Sequence, residues 1–264
     1  PDWINPFDPS FPEHLQICPR SGDPDRACRF VCPHQRNQLS GMGGGGGRTF
    51  LPWSKNRGDE LKLALCKAFA SATIAIKQVD PEALIMTVDP LIKVHARGPE
   101  DAEEAQILDA AQFSANDLLM GRNPDCAIDV SDHIDVVGVN HYPYSQFYSD
   151  REQLALDDPR RVPLSDLLAD VYARYDRPIL LSETGAEGDI RAGWFDYVAD
   201  ECQKAVRKKV PIYGMCLYPI LSHIAWTGER FCPNGLFDGA CPTRDVEPNF
   251  LRVLMRYQQR IGSL

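Results

Sequence analysis

The residues best placed to do chemistry are those that close apolar runs. Glu183 follows Ile179-Leu180-Leu181-Ser182 and precedes Thr184-Gly185, so a carboxylate stands where a strand stops and a loop opens. Asn140, His141 and Tyr142 close "IDVVGV", Asp89 closes "LIMTV", Tyr218 closes "IYGMCL", and Trp226 stands in the loop beyond. A carboxylate at such a point can serve as nucleophile, general acid or general base. It can equally be a surface acid or cap the next helix. Strand periodicity puts Asn140 and Tyr142 on one side and His141 on the other; a polar network at the end of a sheet, without substrate, fits the same pattern. Tyr218 and Trp226 can stack on a flat ligand face or simply cover the core. Glu187 and Asp189 read as solvated loop acids, and Lys93, Arg97 and Arg230 as surface charge.

The elements that must position these residues alternate from Arg57 onward. "RGDELKLALCKAFASATIAIKQVD" places Leu61, Leu65, Ala68, Ala72 and Ala75 or Ile76 on one helical face, with Asp80-Pro81 as its stop. "ALIMTVDP" is a short apolar strand and "DAEEAQILDAAQFSANDLLMGR" a helix. "IDVVGVNHYP" is again a strand, followed by the helix "PLSDLLADVYARYD", which Ser165 is placed to cap. The strand "RPILLSETGAEG", the helix "RAGWFDYVADECQKAVRKKV", the strand "PIYGMCLYPI", a long irregular loop and the helix "PNFLRVLMRYQQRI" complete the pattern. Nearly continuous apolar strands imply a sheet covered on both faces, and repeated β-then-α units imply parallel strands joined by crossover helices. In such folds the strand C-termini share the rim that holds a site. No GxGxxG turn follows any strand, which disfavours a dinucleotide fold and leaves no cofactor expected.

The predicted fold class is therefore α/β, of the (β/α)8 barrel type and incomplete, with strands five to eight well represented. At 264 residues the chain matches the size of one such barrel, about 250 residues. It reads as a single domain over 1–264, with 1–56 irregular and 57–264 carrying βα units four to eight. A net charge of −9 argues against nucleic acid or an anionic membrane as partner. No apolar run reaches the roughly 20 residues that cross a bilayer. The nine cysteines are irregularly spaced; Cys28 and Cys32 have no second pair at zinc spacing, so no metal site is expected, and Cys66, Cys202 and Cys216 read as buried thiols. An odd cysteine total without a secretory signal favours the cytoplasm. The chain does not open on Met, so its start is expected to lie upstream.

"IDVVGVNHYP", "PILLSETGAEG" and "YGMCLYPI" together resemble strands six, seven and eight of the retaining β-glycosidase clan of (β/α)8 barrels. The likeness is strongest to the β-glucosidase, 6-phospho-β-glucosidase and β-galactosidase group, and the opening "PDWINPFDPSFPEHL" is similar to its loop after strand three. The resemblance implies hydrolysis of β-glycosides with Glu183 as nucleophile, Asn140 and Tyr142 supporting it, and a small saccharide or glycoside as substrate. Such enzymes use two carboxyl groups about 5–5.5 Å apart, one attacking the anomeric carbon and the other protonating the leaving oxygen. Where the family has a tryptophan at the end of strand eight, Tyr218 stands here.

The resemblance places the second carboxylate, in an Asn-Glu pair, within "VCPHQRNQLSGMGGGGGRTF", yet that stretch from Val31 to Phe50 holds no Asp or Glu. Its codons, read one base later, permit Pro-Ile-Asn-Glu-Ile-Ser across 33–38 and a Trp from Met42-Gly43. A frame shift across the segment is thus one reading, and a glycine-rich flexible loop is the other. The expectation is a glycosidase-like chain with impaired activity; the rivals are a non-catalytic carbohydrate-binding barrel and an inactive fragment.

Overall fold

The computed structural model describes residues 30–31, 56–225, 228, 230–238 and 244–261. The chain divides into two compact units, residues 1–90 with 106–138, and residues 91–105 with 139–264.

In the first unit α1 (Gly58–Val79) begins with Asp59 and Glu60 in its first turn and has Lys77 in its last, charges that complement the helix dipole. It ends at Asp80, whose backbone is extended, as a residue before proline prefers. The face foreseen from the sequence is buried, and Cys66, Phe69 and Thr73 widen it. Phe69 and Ile85 pack with Leu118, Leu119, Ile128, Val130 and Ile134 into one apolar cluster. β1 (Phe30–Val31) pairs in parallel with β2 (Leu84–Pro90), whose residues 85–89 are all buried, as both faces of a covered strand require. β4 (Val136–Asn140) starts beside β2. There Asp135 N donates to Ile85 O at 2.9 Å, while its carboxylate accepts from Ile85 N at 2.8 Å and pairs with Lys77.

The helix expected across 101–122 is broken in two, α2 (Ala102–Ala111) and α3 (Ser114–Leu119). Side chains cause the break. Gln112 Nε2 donates to Asp109 O and Ser114 Oγ to Ala111 O, occupying carbonyls that a continuing helix would use.

In the second unit β3 (Lys93–His95) pairs in parallel with β5 (Gln146–Tyr148). The end of β4 lies along β6 (Ile179–Thr184), which pairs in parallel with β7 (Ile212–Leu217). α4 (Leu164–Tyr175) ends on Asp176 in the left-handed conformation, where its N–H still reaches Tyr172 O. Ser165 does not cap that helix. Pro163 occupies the cap, and Ser165 N instead donates to the buried Glu201 carboxylate of α5 (Arg191–Arg207) at 2.9 Å. α5 also packs on α6 (Pro248–Ile261) through Phe195, Phe250 and Tyr257.

Two further sequence expectations need correction in this unit. β7 is not covered on both faces: its residues are exposed or half-buried throughout, and Cys216 is exposed rather than buried. Among the described residues β7 is the terminal strand of its sheet, with no further strand beside it. Cys66 and Cys202 are buried as expected, and burial pushes each thiol up to about 12. Tyr213, 57% exposed, and Ile220 and Ile224 add apolar surface on and beyond β7, the arrangement that invites strand-edge association. A charge there should reduce self-association at little cost to the fold: Tyr213→Lys is expected to lower the apparent mass by light scattering at high protein concentration. The melting free energy should change by about 0.5 kcal/mol or less.

Candidate active site

β6 carries an irregularity at its functional end. Leu181 is opposite Met215 and Thr184 opposite Leu217, so Ser182 and Glu183 together face Cys216 alone. This two-against-one bulge breaks the strict alternation of a strand and re-aims side chains. As a result both Ser182 and Glu183 reach the same neighbour, Asn140 at the end of β4. Asn140 Nδ2 donates to Glu183 Oε2 at 2.7 Å, and Ser182 Oγ donates to Asn140 Oδ1 at 2.9 Å. The amide nitrogen meets the carboxylate, and the amide oxygen meets the Ser182 hydroxyl, which also lies 3.1 Å from Val139 O. Glu183 is 3% exposed and Asn140 4%.

The layer behind is equally bonded. His141 N donates to Glu183 O, Tyr218 N to Thr184 O, and Leu91 N to Asn140 O, which continues the strand ladder past its last side chains. Thr184 Oγ1 donates to His141 O at 2.7 Å and accepts from Trp194 Nε1 of α5 at 3.0 Å. His141, fully buried, stacks on Trp194 at 5.8 Å and donates through Nδ1 to Leu91 O at 2.8 Å. That tautomer leaves Nε2 as an acceptor, with no hydrogen-bond partner among the described residues. Gly185 is required here, since a Cβ at its position would lie 1.9 Å from Tyr218 O.

The second unit thus brings together Glu183, Asn140, His141 and Tyr218. Tyr142 is half-buried, with its ring stacked on exposed Tyr144 at 5.2 Å and its N–H on Ser145 Oγ. The rings of Tyr218 and His223 meet in a T-shaped contact at 6.1 Å. Asp89 is buried at the end of β2 in the first unit. Trp226, the segment 32–55 and the opening "PDWINPFDPSFPEHL" lie outside the described residues. Glu187, taken as a solvated acid, forms a two-pronged ion pair with Arg230, whose guanidinium holds that carboxyl below its ordinary value. Arg97 similarly pairs with Asp150 and Glu152. Thr184 closes its strand with Glu183, as the sequence indicates, but its bonding role and those of Ser182 and Trp194 carry no sequence signal. Ser182 and Thr184 were legible only as polar residues interrupting an apolar strand, and Trp194 only as a helical aromatic.

Burial lowers the His141 imidazole to about 4. An unfolded histidine takes its proton near pH 6.5. As pH falls from about 6.5 to about 4, the unfolded chain gains a proton that the folded chain refuses, and stability drops by up to about 3 kcal/mol. His141→Gln should flatten this acid-side decline in melting temperature, though it lowers the melting temperature at pH 7. An unchanged slope in the variant would remove His141 as its source.

No family model matches the sequence, and no curated protein matches it. The fold does have solved counterparts. A β-glucosidase from Thermotoga maritima in complex with glucoimidazole superposes with a TM-score of 0.69 at 14% identity, over 86% of this chain and 63% of that one. The same organism's β-glucosidase in complex with azafagomine gives 0.68 at 13% identity, over 85% and 62%. Its structure described as a family 1 β-glucosidase gives 0.67 at 14%, over 84% and 62%. The chain therefore spans less than two thirds of the length of these proteins, and over that span it has the α/β fold of a (β/α)8 β-glucosidase barrel, incomplete.

Proposed function

We propose that the chain is a glycoside hydrolase-like protein that opens β-glycosidic bonds by retaining double displacement, with Glu183 as nucleophile. The observation that carries this reading is the 2.7 Å hydrogen bond from Asn140 Nδ2 to Glu183 Oε2 at the bulged end of a parallel strand. A carboxylate oxygen of Glu183 is the attacking atom. It forms a bond to the anomeric carbon as the bond from that carbon to the leaving oxygen breaks, which gives a glycosyl ester and a departing alkoxide or phenoxide. Water or a small anion then displaces the sugar and returns the carboxylate. Tyr142 is assigned to supporting the nucleophile, Tyr218 and Trp226 to the sugar, and His141 to the scaffold behind.

The same reading takes 1–264 as one barrel domain in the cytoplasm, with a small glycoside as substrate. Among the described residues no helix is long and apolar enough to cross a membrane. Because the segment 31–50 has no carboxylate to act as general acid, poor leaving groups are expected to react about 10²–10⁴-fold more slowly than in a complete enzyme.

An activated 2-deoxy-2-fluoro β-glycoside should therefore label Glu183, seen as a mass shift on its peptide, and azide should accelerate turnover of an aryl glycoside. Glu183→Gln should abolish both. Intact labelling in Glu183→Gln, or no labelling of a chain that melts cooperatively, would defeat the assignment. Saccharide binding indifferent to that substitution would instead favour the non-catalytic barrel. Asn140→Ala is expected to slow labelling by about tenfold or more, since it removes a donor to a reacting charge.

A further inference from the structure

A second site lies beside α5. A cavity of about 460 Å³ opens between the stretch 156–163 and residues 190–201, within the range of about 300–1,000 Å³ typical of small-molecule sites. Its walls are mainly apolar, from Leu156, Val162, Pro163, Ile190 and Trp194. Against them stands one half-buried cation, Arg161.

The state of that cation points to a ligand. Arg161 donates through Nη1 to Leu154 O and through Nη2 to Pro143 O, both at 3.1 Å. Those bonds use two of its five N–H donors. Among the described residues no carboxylate forms an ion pair with it, whereas Arg97, Arg160, Arg191, Arg230 and Arg256 each have one. Glu201 also lines the cavity, but its oxygens are engaged by Ser165 N and Lys204 Nζ. A guanidinium cannot shed its charge; its nearby carboxylate, Asp158, is ion-paired to Arg160, so partial burial leaves an electrostatic demand that an entering anion would meet. Tyr197, another lining residue, accepts at its hydroxyl from Leu164 N. Burial raises its pKa, so it keeps its proton and can donate it.

We infer that this cavity binds a small apolar monocarboxylate, its carboxylate on Arg161 and Tyr197 and its hydrocarbon body against Trp194, Val162 and Ile190. The fit is of chemistry and size: two donors at one place, an apolar cleft at the other, and room for an arylalkanoic acid. Trp194 also donates to Thr184 Oγ1, next to Glu183, so an occupant of this cavity touches a residue that supports the first site. The inference does not depend on that site being catalytic.

Gly193 provides a clean test. It lines the cavity from within α5, and a Cβ built there meets nothing within 4 Å. Gly193→Leu should therefore fill the cavity without disturbing the helix, in which leucine is favoured over glycine. Calorimetric titration of the full chain with 3-phenylpropionate should show one site of sub-millimolar affinity. Binding should weaken by about tenfold or more with 3-phenylpropionamide or in Arg161→Met, remain measurable in Arg161→Lys, and vanish in Gly193→Leu. Equal affinity for acid and amide, binding that survives Gly193→Leu, or no heat up to about 10 mM ligand would each overturn the proposal.

Discussion

The organising constraint is that a carboxylate has been taken out of water at the end of a strand. Burying such a group is unfavourable unless donors meet it, and here the Asn140 amide donates to it while the amide oxygen meets the Ser182 hydroxyl. That arrangement needs Ser182 and Glu183 on the same neighbour, which a regular strand forbids. The bulge against β7 supplies the exception. It also brings the chain so close to Tyr218 O that position 185 tolerates no side chain. One local irregularity thus constrains three neighbouring positions, 182, 183 and 185.

Much of the scaffold was legible because it is made of long patterns. α1 is read from five apolar positions at helical spacing, and those positions are buried. β2 is read from a run without polar breaks, and it is covered on both faces. The failures share a cause: each depends on one side chain competing for a backbone group. Gln112 and Ser114 end a helix whose apolar period continues, and Glu201, remote in sequence, takes the N–H that Ser165 was expected to organise. β7 failed differently. Its composition is that of a covered strand, but burial depends on what lies alongside, and among the described residues it is the last strand of its sheet.

The candidate site divides along the same line. That Glu183, Asn140 and Tyr218 stand at strand ends followed from apolar runs, and parallel strands bring such ends to one rim. That Ser182 and Thr184 are the residues holding them did not follow, because a bulge leaves no periodic trace. Fold similarity at 14% identity with no match from a family model has the same physical meaning. Apolar alternation tolerates wholesale substitution of like for like, so the architecture persists after most individual residues have changed.

The polar residues around Glu183 are short, and most of their bonding capacity is spent inside the protein. Asn140 bridges a hydroxyl and a carboxylate, Thr184 bridges a carbonyl and an indole N–H, and the His141 ring is anchored by a carbonyl and an aromatic face. Short side chains lose little conformational entropy when fixed, so this shell holds its geometry at small cost. A neutral histidine serves the same end. Charged, it would sit unsolvated behind the site; neutral, it is a rigid plate between Leu91 O and Trp194. Rigidity of this kind favours chemistry at a fixed oxygen over adaptation to varied ligands. The cavity beside Trp194 is built on the opposite principle: an apolar cleft with one long cation whose remaining N–H groups can turn toward what enters.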